Sequence, residues 1–203
     1  MTASLHRLME TGHLPPLSYY FARFVARGSG ADKDSVVALS AALVSMCNLE
    51  GDVCVDLRRF AGRPLFDDTG GAGQAVVLPE APALARWRQA LADNSWVGGP
   101  GADGPLILDG PRLYLNKYWR FERQVADAVL ARMEPIAGLQ PQRLRQDLAR
   151  LFPSDPAAVV DWQKVAAAIA ATRRFAVISG GPGTGKTTTV VKVLALLLEQ
   201  SPA

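Results

Sequence analysis

Phe175-Ala176-Val177-Ile178-Ser179-Gly180-Gly181-Pro182-Gly183-Thr184-Gly185-Lys186-Thr187 is the stretch on which the reading of this chain turns. It opens on a short continuous apolar run, the pattern of a strand buried on both faces. The next segment matches in full the spacing Gly-x-x-x-x-Gly-Lys-Thr of a phosphate-binding loop, with Gly180, Gly185, Lys186 and Thr187 at the defining positions. Beyond it, Val190, Val193, Leu194, Leu197 and Leu198 recur at helical spacing. Strand, glycine loop and helix in that order turn a pattern match into a structural expectation.

Each residue type in the loop has a physical reason. Gly180, Gly181, Gly183 and Gly185, with Pro182 and Thr184 between them, let backbone N–H groups curl around an anion without Cβ obstruction. The loop delivers that anion to the start of a helix, where unpaired N–H groups and the helix dipole favour negative charge. Lys186 is expected to reach the β- and γ-phosphates of ATP. The hydroxyl of Thr187 is expected to ligate Mg²⁺ bridging the same phosphates, and Thr188 completes the lining. Lys186 and Thr187 are therefore the candidate catalytic residues. A second glycine-rich segment, residues 98–104, has no Lys-Thr and precedes a hairpin pattern, so it reads as a plain loop.

Upstream, the first third reads as helical. From Leu17, apolar residues fall at Tyr20, Phe21, Phe24 and Val25 on one face, with Gly28 and Gly30 as the stop. A second helix is expected to open on Asp34 or Ser35 as cap and to carry Val36, Leu39, Leu43, Met46 and Cys47 inward. Residues 53–57 suit a short strand, 61–79 a surface loop, and a helix carries Leu84, Trp87 and Leu91. Residues 106–108 and 112–115 read as a β-hairpin, with Pro111 an unusual turn residue.

A long helix then runs from Asn116 through Phe121, Val125, Val129 and Met133 until Pro135 and Gly138 end it. A helix over 144–151 precedes Pro153-Ser154-Asp155-Pro156, the expected domain boundary, and another spans about 157–172. Helices, a strand and a hairpin could describe a winged helix that reads DNA. Yet no helix there gathers Arg, Asn or Gln on one exposed face, as base readout requires, and a docking domain explains the pattern with fewer demands.

Composition is that of a globular chain, 49% hydrophobic and 20% charged over 203 residues. The net charge of +3 comes without a basic run, so it permits nucleic-acid contact without arguing for it. Cys47, Cys54, His6 and His13 form no zinc-ligand pattern and no disulfide framework. Residues 1–10 lack the apolar core of a signal peptide, and the expected location is cytoplasmic with no membrane contact.

An ATPase of this kind also needs an acid on a neighbouring strand and a charge-stabilising arginine. After Thr187 the sole carboxylate is Glu199. The chain is therefore expected to be part of a longer protein and inactive by itself.

The segments Asp161-Trp162-Gln163-Lys164-Val165-Ala166-Ala167-Ala168-Ile169-Ala170, Thr172-Arg173-Arg174 and Val177–Thr189 closely resemble the start of the motor domain in the RecD family. These are the alpha subunits of bacterial exodeoxyribonuclease V, the RecBCD helicase–nuclease. The resemblance extends through Gly51-Asp52-Val53-Cys54-Val55-Asp56-Leu57, Asp109–Asn116 and Leu151-Phe152-Pro153.

It implies a 5′→3′ DNA helicase driven by ATP and Mg²⁺, acting on single-stranded DNA beside RecB and RecC in double-strand break repair, recombination and degradation of linear duplex. It also implies that Gln163 reads the adenine, that the N-terminal domain docks on RecC, and leaves the roles of Arg173 and Arg174 open. The expected fold is an α+β N-terminal docking domain (1–115) and a helical connector (116–153). The first βα unit of a RecA-like α/β motor (154–203) follows, incomplete. Two other readings stand: a non-enzymatic RecC-docking module, and a free-standing RecD-like helicase.

Overall fold

The computed structural model describes residues 4–63, 80–133, 136, 138–153 and 160–200. Contacts divide the chain into two compact units, Met1–Arg123 and Gln124–Ala203. The first unit holds helices α1 (Leu5–Glu10), α2 (Pro16–Ser29), α3 (Val36–Leu49) and α4 (Leu84–Ala92) and a small sheet, against which α3 and α4 pack. The sheet comprises β1 (Cys54–Asp56), β2 (Val97–Gly98), β3 (Leu106–Asp109) and β4 (Arg112–Leu115) in the order β1-β4-β3-β2. A helix α5 (Asn116–Leu130) follows the sheet.

Helix α3 is the centre of this unit. Ser35 is its cap, its side chain accepting from the Ala38 N–H at 3.3 Å. Val37, Ala38, Ala41, Ala42, Leu43, Val44 and Cys47 are all buried, so α3 is apolar nearly all round rather than on the one face expected. Asp34, the alternative cap, instead accepts the Leu5 N–H at 2.8 Å and ties α1 to the start of α3. Its small residues let α2 approach closely, and α2 presents small side chains in return.

The buried face of α2 is accordingly Tyr19, Ala22, Val25 and Ala26. The expected apolar face is corrected: Leu17, Tyr20 and Phe24 are exposed and Phe21 only half-buried. Gly28 does not stop α2 either. It lies inside the helix, where the indole of Trp96 packs in the space its Cβ would take, and Gly30, at φ +69°, forms the left-handed cap.

The hairpin forms as read. Asp109 pairs with Arg112, leaving Gly110 (φ +56°) and Pro111 as a two-residue loop. The register places Leu106 opposite Leu115, and β1 joins the far edge of β4 with Val55 opposite Leu113. The two-residue strand β2, parallel to β3, has no periodicity that sequence reading could detect. Trp87 on α4 is fully buried and donates from Nε1 to the Ser40 Oγ at 2.7 Å. Most of the expected loop at 61–79 lies outside the described residues.

The second unit packs α6 (Pro141–Leu151), α7 (Trp162–Thr172) and α8 (Lys186–Gln200). Its core is Leu144, Leu148, Phe152, Ala167, Ala171, Val193 and Leu196. Leu196 and Phe152, at most 2% exposed, each contribute about 2 kcal/mol by leaving water. Helix α7 starts at Trp162, where the Asp161 carboxylate caps it by accepting the N–H groups of Gln163 and Lys164. The expected boundary at 154–156 and the expected helix start at 157–159 lie outside the described residues.

The expected strand at 175–178 is not formed. The segment runs from α7 to the glycine loop with no ladder, and Val177 is 76% exposed. A strand exists only with a hydrogen-bonded neighbour, and among the described residues no strand lies beside this one. Of the apolar residues expected to mark α8, only Val193 is buried. Val190, Leu194, Leu197 and Leu198 face outward, and Leu196 does the packing instead. No described helix is long and apolar enough to cross a membrane.

Candidate nucleotide site

The glycine loop owes its shape to two backbone conformations that side-chain-bearing residues rarely adopt. Gly183 stands at φ +76° and Gly185 at φ +74°. The Thr184 Oγ1 donates to the Gly181 carbonyl at 2.9 Å and closes the bend. A Cβ at residue 180 would lie 2.8 Å from that hydroxyl oxygen, and one at residue 185 would lie 2.6 Å from the Gln163 Nε2. A side chain is therefore opposed at Gly185 by torsion and by contact, and at Gly180 by contact with the Thr184 hydroxyl. Pro182 lies at the exposed crest, in the turn.

The loop runs directly into α8. Thr189 is the first loop-proximal residue to close a helical bond, its N–H reaching the Gly185 carbonyl at 2.9 Å. Helical geometry thus leaves the N–H groups of Lys186, Thr187 and Thr188 pointing out of the first turn. Thr187 and Thr188 are exposed there. Thr189 is buried, and its hydroxyl donates to the Gly185 carbonyl at 3.0 Å, which locks the junction of loop and helix.

The Lys186 ammonium donates to the carbonyls of Gly180 and Gly181 at 2.7 Å each. It is held over the mouth of the loop, where it can exchange those bonds for phosphate oxygens. Anion-directed N–H groups, a lysine over the loop and a helix dipole all carry the same sign of charge preference. These residues fit a polyphosphate with Mg²⁺: the cradle is one that a Cβ would fill, and the Thr187 hydroxyl is free to face a cation.

Gln163 is brought to the same place from α7. Its Nε2 donates to the Thr184 carbonyl at 3.1 Å, which spans 21 residues of chain. Gly180, Thr184 and Lys186 line a cleft of about 240 Å³ together with Trp162, Gln163, Ala166, Ile178, Ser179 and Thr189. The sequence reading did not name Trp162, Ala166, Ile178, Ser179 or Thr189 for the site. Only Trp162 carried a signal, its adjacency to Gln163. Arg173 and Arg174 stand apart from this cleft, and Arg173 donates to the Met133 carbonyl at 3.0 Å.

Helix α8 is braced from behind. Arg150 on α6 donates to Glu199 at 2.5 Å, and the Lys192 ammonium sits 4.4 Å above the Phe152 ring. The carboxylate of Glu199 is thus engaged at the far end of α8, roughly 18 Å along the axis from Thr187 at 1.5 Å per residue.

Comparison with known proteins bears on both units. Residues 10–114 match the family described as RecBCD enzyme subunit RecD, N-terminal domain, and residues 163–202 match an AAA domain. The chain is 39% identical over 84% of its length to the RecBCD enzyme subunit RecD of Mycolicibacterium smegmatis, covering 27% of that protein. It is 30% identical over 98% of its length to the Haemophilus influenzae RecBCD enzyme subunit RecD, covering 33% of it. To that of Buchnera aphidicola from Acyrthosiphon pisum it is 26% identical over 99% of its length, covering 32%. The chain thus spans about a quarter to a third of the length of these relatives.

Proposed function

This chain belongs to the RecD family of RecBCD enzyme subunits, and from that premise we propose that it carries the ATP-binding loop of a 5′→3′ DNA helicase subunit. The observation that carries the reading is the junction of glycine loop and α8. Gly183 and Gly185 hold left-handed torsions there, and Lys186 stands over the loop mouth. The AAA-domain match over residues 163–202 supports it from a separate direction.

In this reading the backbone N–H groups of 180–188, Pro182 excepted, hold the phosphates, Lys186 neutralises them, and the Thr187 hydroxyl is a ligand to Mg²⁺. Gln163 reads the base with an amide that can both donate and accept. Mg·ATP, when bound, supplies the free energy of phosphoryl transfer to water. Residues 154–203 are then the opening of a RecA-like motor, 116–153 its helical connector, and 1–115 a docking domain toward RecC in a complex with RecB. The N-terminal-domain match over residues 10–114 favours such a subunit over a free-standing helicase. The wider roles in double-strand break repair, recombination and degradation of linear duplex belong to this proposal.

The chain alone is proposed to bind ATP without turning it over, since the Glu199 carboxylate is tied to Arg150. Calorimetry with Mg·ATP tests this directly. Wild-type chain is expected to bind and Lys186→Ala to lose binding at least tenfold, about the effect of one lost charge-assisted contact. Wild-type chain that fails to bind Mg·ATP would sink the reading.

A further inference from the structure

We propose that Trp162 is the stacking platform for the nucleotide base, a binding residue that supplies affinity beside Gln163. The inference rests on the nucleotide-binding reading above and adds a role for a residue that reading leaves unused.

The four tryptophans are disposed very differently. Trp87 is fully buried and its Nε1 is satisfied by Ser40. Trp96 is half-buried over Gly28 and meets the Phe24 ring edge-on at 5.2 Å. Trp119 is half-buried and donates to the Asp109 carboxylate at 3.2 Å. Trp162 is 74% exposed. An indole left in water gives up the large stabilisation that burying an aromatic ring brings, and the chain packs the other three.

Its location is as telling as its exposure. Trp162 is the first residue of α7, fixed there by the Asp161 cap, and its neighbour Gln163 is bonded to the loop at Thr184. Trp162 lines the same cleft as Gly180, Thr184 and Lys186. Ala166, one turn along α7, shares that wall and is too small to fill it. A nucleotide with its phosphates on the loop must place its base away from Lys186, along the wall built by Trp162, Gln163 and Ala166. Gln163 can address the edge of the base, and a flat apolar ring beside it can cover the face. Stacking of this kind tolerates any base, so Trp162 supplies affinity for a nucleobase while Gln163 supplies the choice among bases.

Two probes on the purified chain separate this role from a structural one: Mg·ATP and inorganic tripolyphosphate, which has no base. Trp162→Ala is expected to weaken Mg·ATP binding about tenfold, within the range for loss of one base–aromatic stack. It should leave tripolyphosphate binding unchanged. Trp162→Phe is expected to retain Mg·ATP binding within about threefold, because a smaller ring still stacks. ATP should quench the indole fluorescence of wild type, and that quenching should vanish in Trp162→Phe.

Unchanged ATP affinity in Trp162→Ala overturns the proposal. So does equal weakening toward both probes, which would mark Trp162 as a support for the loop. Failure of the underlying reading looks different: wild-type chain would then bind neither probe, and the stacking role would fall with it.

Discussion

Gly28 lies inside α2, where alanine ordinarily gains roughly 0.5–1 kcal/mol over glycine. Here the indole of Trp96 occupies the space that a methyl would need. Gly28→Ala is therefore expected to destabilise by about 1–3 kcal/mol, the usual cost of overpacking. In a Trp96→Ala background the same substitution should turn neutral or stabilising, because the obstruction is gone. Chemical denaturation of the four variants reads this coupling, and additive effects would refute it. Gly185 poses the same question at the site. Its φ of +74° and its contact with Gln163 both oppose a side chain. Gly185→Ala should lose nucleotide binding while the far-ultraviolet circular dichroism of the chain stays unchanged.

At the scale of elements, α3 depends on its cap and on keeping its surroundings uncharged. Ser35→Ala removes the acceptor for the Ala38 N–H and is expected to cost about 1 kcal/mol in a denaturation experiment. Cys47 on α3 is pushed from 9.0 to about 11, chiefly by burial and then by Glu50 and Asp52. Tyr114 on β4 is pushed from 10.0 to about 12, chiefly by burial and then by Cys54. Both groups are favoured in their neutral form by the fold.

Their contribution to stability is thus complete below pH 9 and lost as pH rises through the window from about 9 to 12. Melting temperatures measured from pH 8 to 11 should fall, and Cys47→Ala should flatten part of that fall. A profile as steep in Cys47→Ala as in wild type would remove the thiol from the account. The raised thiol also predicts slow alkylation of native Cys47 at pH 8, and unfolding should release it.

For the molecule as a whole, the two units have separate cores with no residue in common. Ligand that binds only one folded unit stabilises only that unit. Heating should therefore show two transitions, with Mg·ATP raising the one that involves α6, α7 and α8. Phe152→Ala is expected to cost about 3–5 kcal/mol in that transition alone, because its ring is buried in the second core. Calorimetry that gives one cooperative transition, moved as a unit by ATP, would contradict this division.

The local chemistry was readable in the chain by itself. The spacing from Gly180 to Thr187 demands a turn only glycine can make, the apolar runs at 106–108 and 112–115 place the hairpin, and Asp34-Ser35 before an apolar run brackets the cap of α3. These signals are local because torsion and capping act over three or four residues. Which faces are buried was not readable. Tyr20 and Phe24 are as apolar as any core residue, yet Ala22 and Ala26 pack inward because α3 offers a close, small-residue surface.

The same non-local cause explains the segment at 175–178. Its apolar composition suits a strand, but a strand is made by its neighbour, and no described strand stands beside it. At the site, the loop could be named residue by residue from sequence. Only the folded chain carries Gln163 to Thr184 and stands Trp162 exposed on the same wall, because that juxtaposition depends on how α7 packs against α8.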